Sequence, residues 1–160
     1  MELDDKDWKI LSYLSERGRE KISDISNAIG IPRVTVYERM QNLVREGVIQ
    51  RFTFIPNYKL IGLPVTAYIF VEFDPSEKVT QRELAKRVAQ MPEVEEVHIV
   101  TGEWDLLLKV RAPSMEDIGN FVLDRLRETK GIAKTETITI FSTVKEWNPL
   151  RRVNRQGSQE

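Results

Sequence analysis

Apolar residues in the first fifty positions recur at helical spacing in three separate runs. The first run begins after Asp4 or Asp5, either of which is a good N-cap, and ends at Gly18. The second run stops at Gly30, and the third begins after Pro32, a residue that suits the first position of a helix. The apolar stripe of this third helix consists of Val36, Met40, Leu43 and Val44.

A strand-like run, VIQRFTFIP, follows the third helix and Gly47. Three helices followed by a strand predict a winged helix-turn-helix domain, which we place at residues 1–54. The next stretch, PNYKLIGLP, carries two prolines and a glycine, and therefore predicts a hinge over residues 55–64.

The second half of the chain changes to an alternating pattern typical of strands. Strand-like and amphipathic helical segments follow each other in the order strand, helix, strand, strand, helix, strand. This order predicts a ferredoxin-like βαββαβ domain over residues 65–150, with residues 151–160 as a tail. The fold class is therefore α+β. Both helices would cover one sheet face, and the open apolar face would be available to a partner.

Composition narrows the functional classes. The chain has 160 residues, of which 41% are hydrophobic and 31% charged, so it has enough apolar surface for a packed core. It contains no cysteine, which excludes disulfides, cysteine-ligated zinc and thiol catalysis. No apolar run is long enough to span a membrane, and the acidic N-terminus is unlike a signal peptide. We therefore expect a soluble, cytoplasmic protein without a membrane partner.

The net charge of −1 conceals an uneven distribution. Residues 31–62 carry five Lys or Arg against two Glu, whereas residues 63–150 carry 11 basic against 15 acidic residues. A basic first part and an acidic second part suggest two different roles.

The third helix has an outer face rich in hydrogen-bonding side chains. Arg and Gln make bidentate contacts to guanine and adenine edges, Thr and Val contact the thymine methyl, and Tyr and Asn commonly hold phosphates. A tight corner at Gly30 would set this helix at the angle at which a recognition helix enters the major groove. From these residues alone, a plain three-helix bundle with a solvated polar face explains the pattern equally well.

Spaced motifs along nearly the whole chain resemble the leucine-responsive/asparagine-operon (Lrp/AsnC) family of transcriptional regulators of bacteria and archaea. The second half, with TGEWDLLLKV, resembles that family's regulatory module for amino-acid metabolism. The residues that carry the resemblance are Leu3, Asp4, Asp7, Ile10, Leu11, Gly18, Arg19, Gly30, Arg39, Leu43, Gly47, Val48, Ile49, Gly62, Gly102 and Asp105.

The resemblance implies a sequence-specific DNA-binding regulator that binds double-stranded DNA as a homodimer or a larger assembly such as an octamer. A free amino acid bound between dimers would modulate it. The expected DNA-binding residues are Arg33, Thr35, Tyr37, Glu38, Arg39, Gln41, Asn42, Arg45 and Arg51. The expected effector-binding residues are Thr101, Gly102, Trp104, Asp105, Thr135, Thr137 and Thr139.

Two positions depart from the family pattern. Pro32 stands where a serine often precedes the recognition helix, so the usual side-chain N-cap is missing. Trp104 stands where tyrosine is common in the glycine-aromatic-aspartate motif, which affects the small molecule that would fit. Arg39 has a structural interpretation as well, since it could brace the fold, hold a phosphate, or do both.

Catalytic and metal chemistry find no support in the sequence. His98 and Glu96 share a strand face, but two ligands do not make a metal site. Phosphate-binding loops and catalytic motifs are missing, so we expect neither an enzyme nor a cofactor. Two alternatives remain open: a metabolite-binding or enzyme-regulating module whose helical half docks protein, and an architectural DNA-binding protein without an effector.

Overall fold

The computed structural model describes residues 2–151, and the chain forms two compact units. One unit contains the chain up to Ile55 and again from Lys145; the other is Pro56–Val144. The predicted hinge at 55–64 therefore belongs mostly to the second unit. Residues 145–150, which we assigned to the second domain, belong to the first. The predicted tail lies outside the described residues except for Arg151.

The first unit contains three helices: α1 (Asp5–Glu16), α2 (Ile22–Ile29) and α3 (Arg33–Arg45). Asp4 is the N-cap of α1, because its carboxylate accepts hydrogen bonds from the N–H groups of Lys6 and Asp7. Gly30 ends α2 with a left-handed φ of 67°, which glycine adopts without strain. Pro32 is the N-cap of α3 rather than its first helical residue, and it supplies no side-chain cap.

A small core holds the three helices together. Its buried members are Ile10, Leu11, Ile25, Ile31, Val36 and Leu43. Residues 10 and 11 come from α1, residue 25 from α2 and residues 36 and 43 from α3, so each helix contributes part of its predicted apolar face. Val44, which we placed in the apolar stripe of α3, is 44% exposed. With so few buried side chains, this unit has only a small hydrophobic core.

Residues 48–56, expected to be strand-like, form no strand in the described chain. A strand requires a hydrogen-bonded neighbour, and the four strands among residues 2–151 pair only with one another. The aromatic side chains of this segment remain in solvent, with Phe52 53% and Phe54 80% exposed.

The second unit is a four-stranded antiparallel sheet covered on one face by helices. Its elements are β1 (Val65–Phe73), α4 (Gln81–Val88), β2 (Val94–Ile99), β3 (Leu106–Ala112), α5 (Met115–Asn120), a π-helical turn that continues α5 (Phe121–Leu126), and β4 (Ile132–Thr139). The strand order is β2-β3-β1-β4, with β1 and β3 in the centre. This order confirms the predicted α+β, ferredoxin-like βαββαβ arrangement.

The two faces of the sheet differ strongly in polarity. Ala67, Ile69 and Val71 of β1 are fully buried with the helices. The residues between them point to the open face, where Phe70 pairs with Leu107 of β3. We predicted an apolar open face. The observed face is only partly apolar, because charged residues lie among the apolar ones. The charged residues on this face are Glu72, Glu96, Lys109, Arg111, Lys134 and Glu136.

Residues 57–63 form a hydrogen-bonded turn, in which the N–H of Leu63 donates to the carbonyl of Tyr58 over 2.8 Å. The Tyr58 ring lies 3.4 Å from the Arg111 guanidinium carbon, within cation–π distance. Arg111 also donates to Glu95 and Thr66. The start of the predicted hinge is therefore attached to the open face of the sheet.

Candidate functional sites

The outer face of α3 is an exposed, hydrogen-bonding surface of the first unit. Its helical repeat buries Val36 and Leu43 against the core. The predicted DNA-binding residues that are exposed on this helix are Arg33, Tyr37, Glu38, Gln41 and Arg45. Val34 is 67% exposed among them, an apolar group of the kind that contacts a thymine methyl.

The remaining DNA-binding candidates lie at the margins of this surface. Thr35 and Asn42 are half-buried at its sides, and Arg51 is exposed beyond the end of α3. Arg45 faces Glu46 at 3.5 Å, with both side chains largely in solvent. Such a surface pair contributes little and leaves Arg45 available to a phosphate.

Arg39 has a different role from its neighbours on α3. Its Nη1 atom lies 2.6 Å from Asp4 Oδ1 and 2.9 Å from Asp7 Oδ1, and the Asp7 side chain is only 5% exposed. The Asp7 carboxylate also accepts the backbone N–H of Asp4 over 3.1 Å. Arg39 therefore joins α3 to the start of α1. The structure thus shows the bracing contact, and the phosphate contact stays a prediction.

Electrostatics at this contact favour ionised carboxylates. The backbone N–H of Asp7 and then the Arg39 guanidinium lower the pKa of the Asp4 carboxyl from 3.8 to about 2. The same two carboxylates raise the pKa of Arg39 above its ordinary value. Asp4 and Arg39 are therefore both charged at neutral pH. We call the contact among Asp4, Asp7 and Arg39 the acid–arginine clamp.

In the second unit, Asp105 already binds groups of its own chain. Its Oδ2 atom accepts the backbone N–H of Phe73 over 2.7 Å, and its Oδ1 accepts the Gln81 side-chain amide over 3.1 Å. Asp105 thereby joins the beginning of β3 to the end of β1 and to the first residue of α4. An α-ammonium group would therefore meet a carboxylate that is already fixed in place. Sequence reasoning missed Gln81, because nothing in its local pattern marks it.

Trp104 lies on the open face of the sheet. Its ring centroid is 5.8 Å from that of Phe70, and Lys134 Nζ lies 5.2 Å from the same ring. Gly102, in the loop just before, has a φ of 111°, and among residues 2–151 no heavy atom beyond the glycine and its two chain neighbours lies within 4 Å of the position that a Cβ would occupy. Together with exposed Thr101, this loop is open to a ligand or to another subunit.

The three threonines of β4 lie on the other face. Thr135, Thr137 and Thr139 pair with Val71, Ile69 and Ala67, all of which face the helices. Thr135 is buried and accepts a hydrogen bond from Arg127 Nε over 3.0 Å.

A cavity of about 300 Å³ opens beside this contact, lined by Arg127 and residues 132–135. The structure therefore does not bring all seven effector candidates together in one protomer.

His98 and Glu96 are paired as the sequence indicated, at 3.1 Å, and both are exposed. Within residues 2–151, no cluster of three or more His, Cys, Asp or Glu side chains is arranged to hold a metal. A search of the same residues for a helix that could cross a membrane finds none.

Comparison with known proteins gives two successive matches along the chain, the second of which includes residues 145–150 of the first unit. A family model described as winged helix-turn-helix DNA-binding matches residues 3–50, and one described as the Lrp/AsnC ligand binding domain matches residues 66–150. HTH-type transcriptional regulators of Pyrococcus horikoshii and Pyrococcus abyssi are 50% and 49% identical to the chain over 144 residues. Each alignment covers 90% of this chain and 96% of the relative.

Among solved structures, a transcriptional regulator of Neisseria meningitidis in complex with L-Met superposes with a TM-score of 0.87 and 27% identity. The superposition covers 94% of this chain and 97% of that protein. The likeness therefore extends over both units.

Proposed function

Because this chain belongs to the Lrp/AsnC family and is a DNA-binding transcriptional regulator rather than an enzyme, we propose that it reads its operator through α3 as a cytoplasmic homodimer and responds to a free amino acid. The single observation that carries the DNA-reading proposal is the exposed face of α3. It presents Arg33, Val34 and Gln41 outward while the opposite face packs on the core. These side chains match the donors, acceptors and methyl groups of the major groove.

Dimerisation supplies the specificity that one short helix lacks. Two recognition helices related by a two-fold axis contact half-sites about 34 Å apart. The open face of the sheet is the surface that we assign to this contact. Phe70, Leu107 and Ile138 give it an apolar centre, and charges of both signs around them favour a self-complementary pairing.

Leu107→Arg tests the dimer surface in the full-length chain. We expect the dimer dissociation constant to rise by at least about tenfold, because an arginine would be buried without a partner at the centre of the contact. Sedimentation velocity over a micromolar concentration series measures this change. Leu123→Arg is the matched control, since Leu123 is 56% exposed on the helical side of the unit. Equal dissociation constants for wild type and Leu107→Arg would refute the assignment.

The effector proposal extends from the family and from the separation of the candidate residues. The Gly102 loop and Trp104 lie near one face of the sheet. Thr135 and Thr137 of the edge strand β4 lie on the other face, where Arg127 donates to Thr135. A site formed between dimers would join the two sets across subunits, as part of an assembly such as an octamer. The Neisseria relative binds L-Met, so an amino acid is the ligand class we propose, through Asp105 and the threonine hydroxyls.

Thermal unfolding with each of the twenty amino acids tests this effector. A ligand at a hundred times its Kd stabilises by about 2.7 kcal/mol, so we expect one amino acid to raise Tm by several degrees. Asp105→Asn keeps an acceptor for the Phe73 N–H but loses the charge that would hold an α-ammonium, and it should abolish the shift. Ser142→Ala, beyond the end of β4, is the control. If no amino acid changes Tm or the oligomer size, Gly102 and Asp105 are structural residues only.

The rival class is a module whose helical unit docks protein. Salt distinguishes the two, because DNA binding releases counterions and weakens steeply with added salt, whereas a protein-docking helix need not. An architectural DNA-binding protein would show the salt dependence without preferring one sequence over another.

A further inference from the structure

The segment after β4 is fully exposed at Phe141 and Val144 and becomes partly buried after Lys145. Trp147 and Leu150 keep 45% and 42% of their surface and Pro149 is half-buried. From Lys145 onward the chain belongs to the unit that contains α1, α2 and α3. Partial burial of three apolar residues within four positions indicates a segment packed on that unit.

Ser15 on α1 is the attachment point. The backbone N–H of Leu150 donates to Ser15 Oγ over 2.9 Å, and the same hydroxyl donates to the carbonyl of Ser12 over 2.7 Å. The hydroxyl therefore acts as acceptor and donor at once. The two bonded residues are 135 positions apart in the chain. A single hydrogen bond cannot offset the entropy of closing so long a loop, so the packing of Trp147 and Leu150 must support it.

We propose that residues 145–151 are a latch: the chain's own C-terminal segment docks on α1 around Ser15 and gives the DNA-binding unit a second connection to β4, in addition to the predicted hinge. The consequence reaches the recognition helix. Asp7 of α1 and its N-cap Asp4 hold Arg39 of α3, so a latch that steadies α1 also steadies α3. The inference is independent of the effector and of the operator.

Hydrogen–deuterium exchange on four variants tests the latch. The first chain ends at residue 144 and lacks the latch, and the second ends at 151 and lacks only the tail. In the full-length chain, Ser15→Ala removes the acceptor, while Ser12→Ala makes the same side-chain change one turn away and leaves the Leu150 contact in place. Alanine favours the helix similarly at both positions, so the pair isolates the contact.

We expect exchange of the α1 and α3 amides to be on the order of 2- to 10-fold faster in the chain ending at 144, as one lost hydrogen bond with its packing implies. Exchange in the chain ending at 151 and in Ser12→Ala should match that of wild type. Exchange in Ser15→Ala should be accelerated like that of the chain ending at 144. Unchanged exchange in Ser15→Ala overturns the proposal. If exchange in the chain ending at 151 is as fast as in the chain ending at 144, the proposal is also overturned, because loss of the tail would then explain the acceleration. If the chain ending at 144 does not fold, Ser15→Ala against Ser12→Ala decides.

Discussion

Replacing Arg33 or Gln41 with alanine is expected to lower the preference for the operator over scrambled DNA by about 1–3 kcal/mol, roughly 5- to 150-fold. Both side chains lie on the exposed face of α3, and neither has an intramolecular partner among the contacts we describe. Their bidentate contacts would discriminate particular base pairs, so the loss should be confined to those positions of the site. Competition gel shifts with single-base operator variants measure it, using a duplex selected from a random library by the wild-type protein.

Arg45→Ala is the matched control on the same helix. Arg45 lies at the end of α3 beside Glu46, and as a phosphate contact it should weaken all sequences alike and reduce the salt slope by about one. Arg51→Ala should behave in the same way. An Arg33→Ala protein that distinguishes operator from scrambled DNA as well as wild type would remove the base-reading role from that residue.

Local signals predicted most of the secondary structure. Asp4 before the first apolar stripe and Gly30 after the second marked helix ends correctly, because caps depend on only a few neighbouring residues. The order of strands and helices likewise predicted the ferredoxin-like sheet. These predictions were correct because each rests on the pattern of residues within individual elements.

Contacts between distant parts of the chain could not be predicted in this way. The run at 48–56 has the composition of a strand, but a strand also needs a neighbour, which the described chain does not supply. On β4 the threonines face the helices, while Ile138 lies on the open face and is 48% exposed. The sequence of this strand does not indicate which set faces the helices. Polar threonines can face the helices on an edge strand because neither face of such a strand is completely covered.

The acid–arginine clamp is the clearest example of such a distant contact. Asp4, Asp7 and Arg39 were all among the motif residues of the family, and Arg39 was expected to hold DNA or to brace the fold. Its partners lie 35 and 32 positions away in the chain, so only the packed helices bring them together. Arg39 therefore braces α1 against α3, and its contact with DNA stays a prediction.

This role makes Arg39→Ala the substitution with the largest expected effect on folding. It leaves the nearly buried Asp7 carboxylate without its cationic partner and removes a contact between α1 and α3. We expect a loss of about 1–3 kcal/mol in the free energy of unfolding of the helical unit. Urea denaturation followed by circular dichroism measures it. Arg33→Ala is the control on the same helix, since it should alter DNA reading while leaving the denaturation midpoint unchanged.

Lowering the pH should also destabilise the protein through this contact, because the pKa of Asp4 is lowered in the folded chain from 3.8 to about 2. A carboxyl whose pKa is lower when folded stabilises the protein above its unfolded pKa, and the stabilisation is lost as pH falls from about 4 toward 2. In that range wild type should lose stability toward the level of Arg39→Ala, whereas the variant should change less, since it has already lost the clamp. Midpoints measured at pH 6, 4 and 3 compare the two proteins. Parallel curves over this range would show that Arg39 does not cause the lowered pKa of Asp4, and the pH dependence would then come from the backbone hydrogen bonds to Asp4 alone.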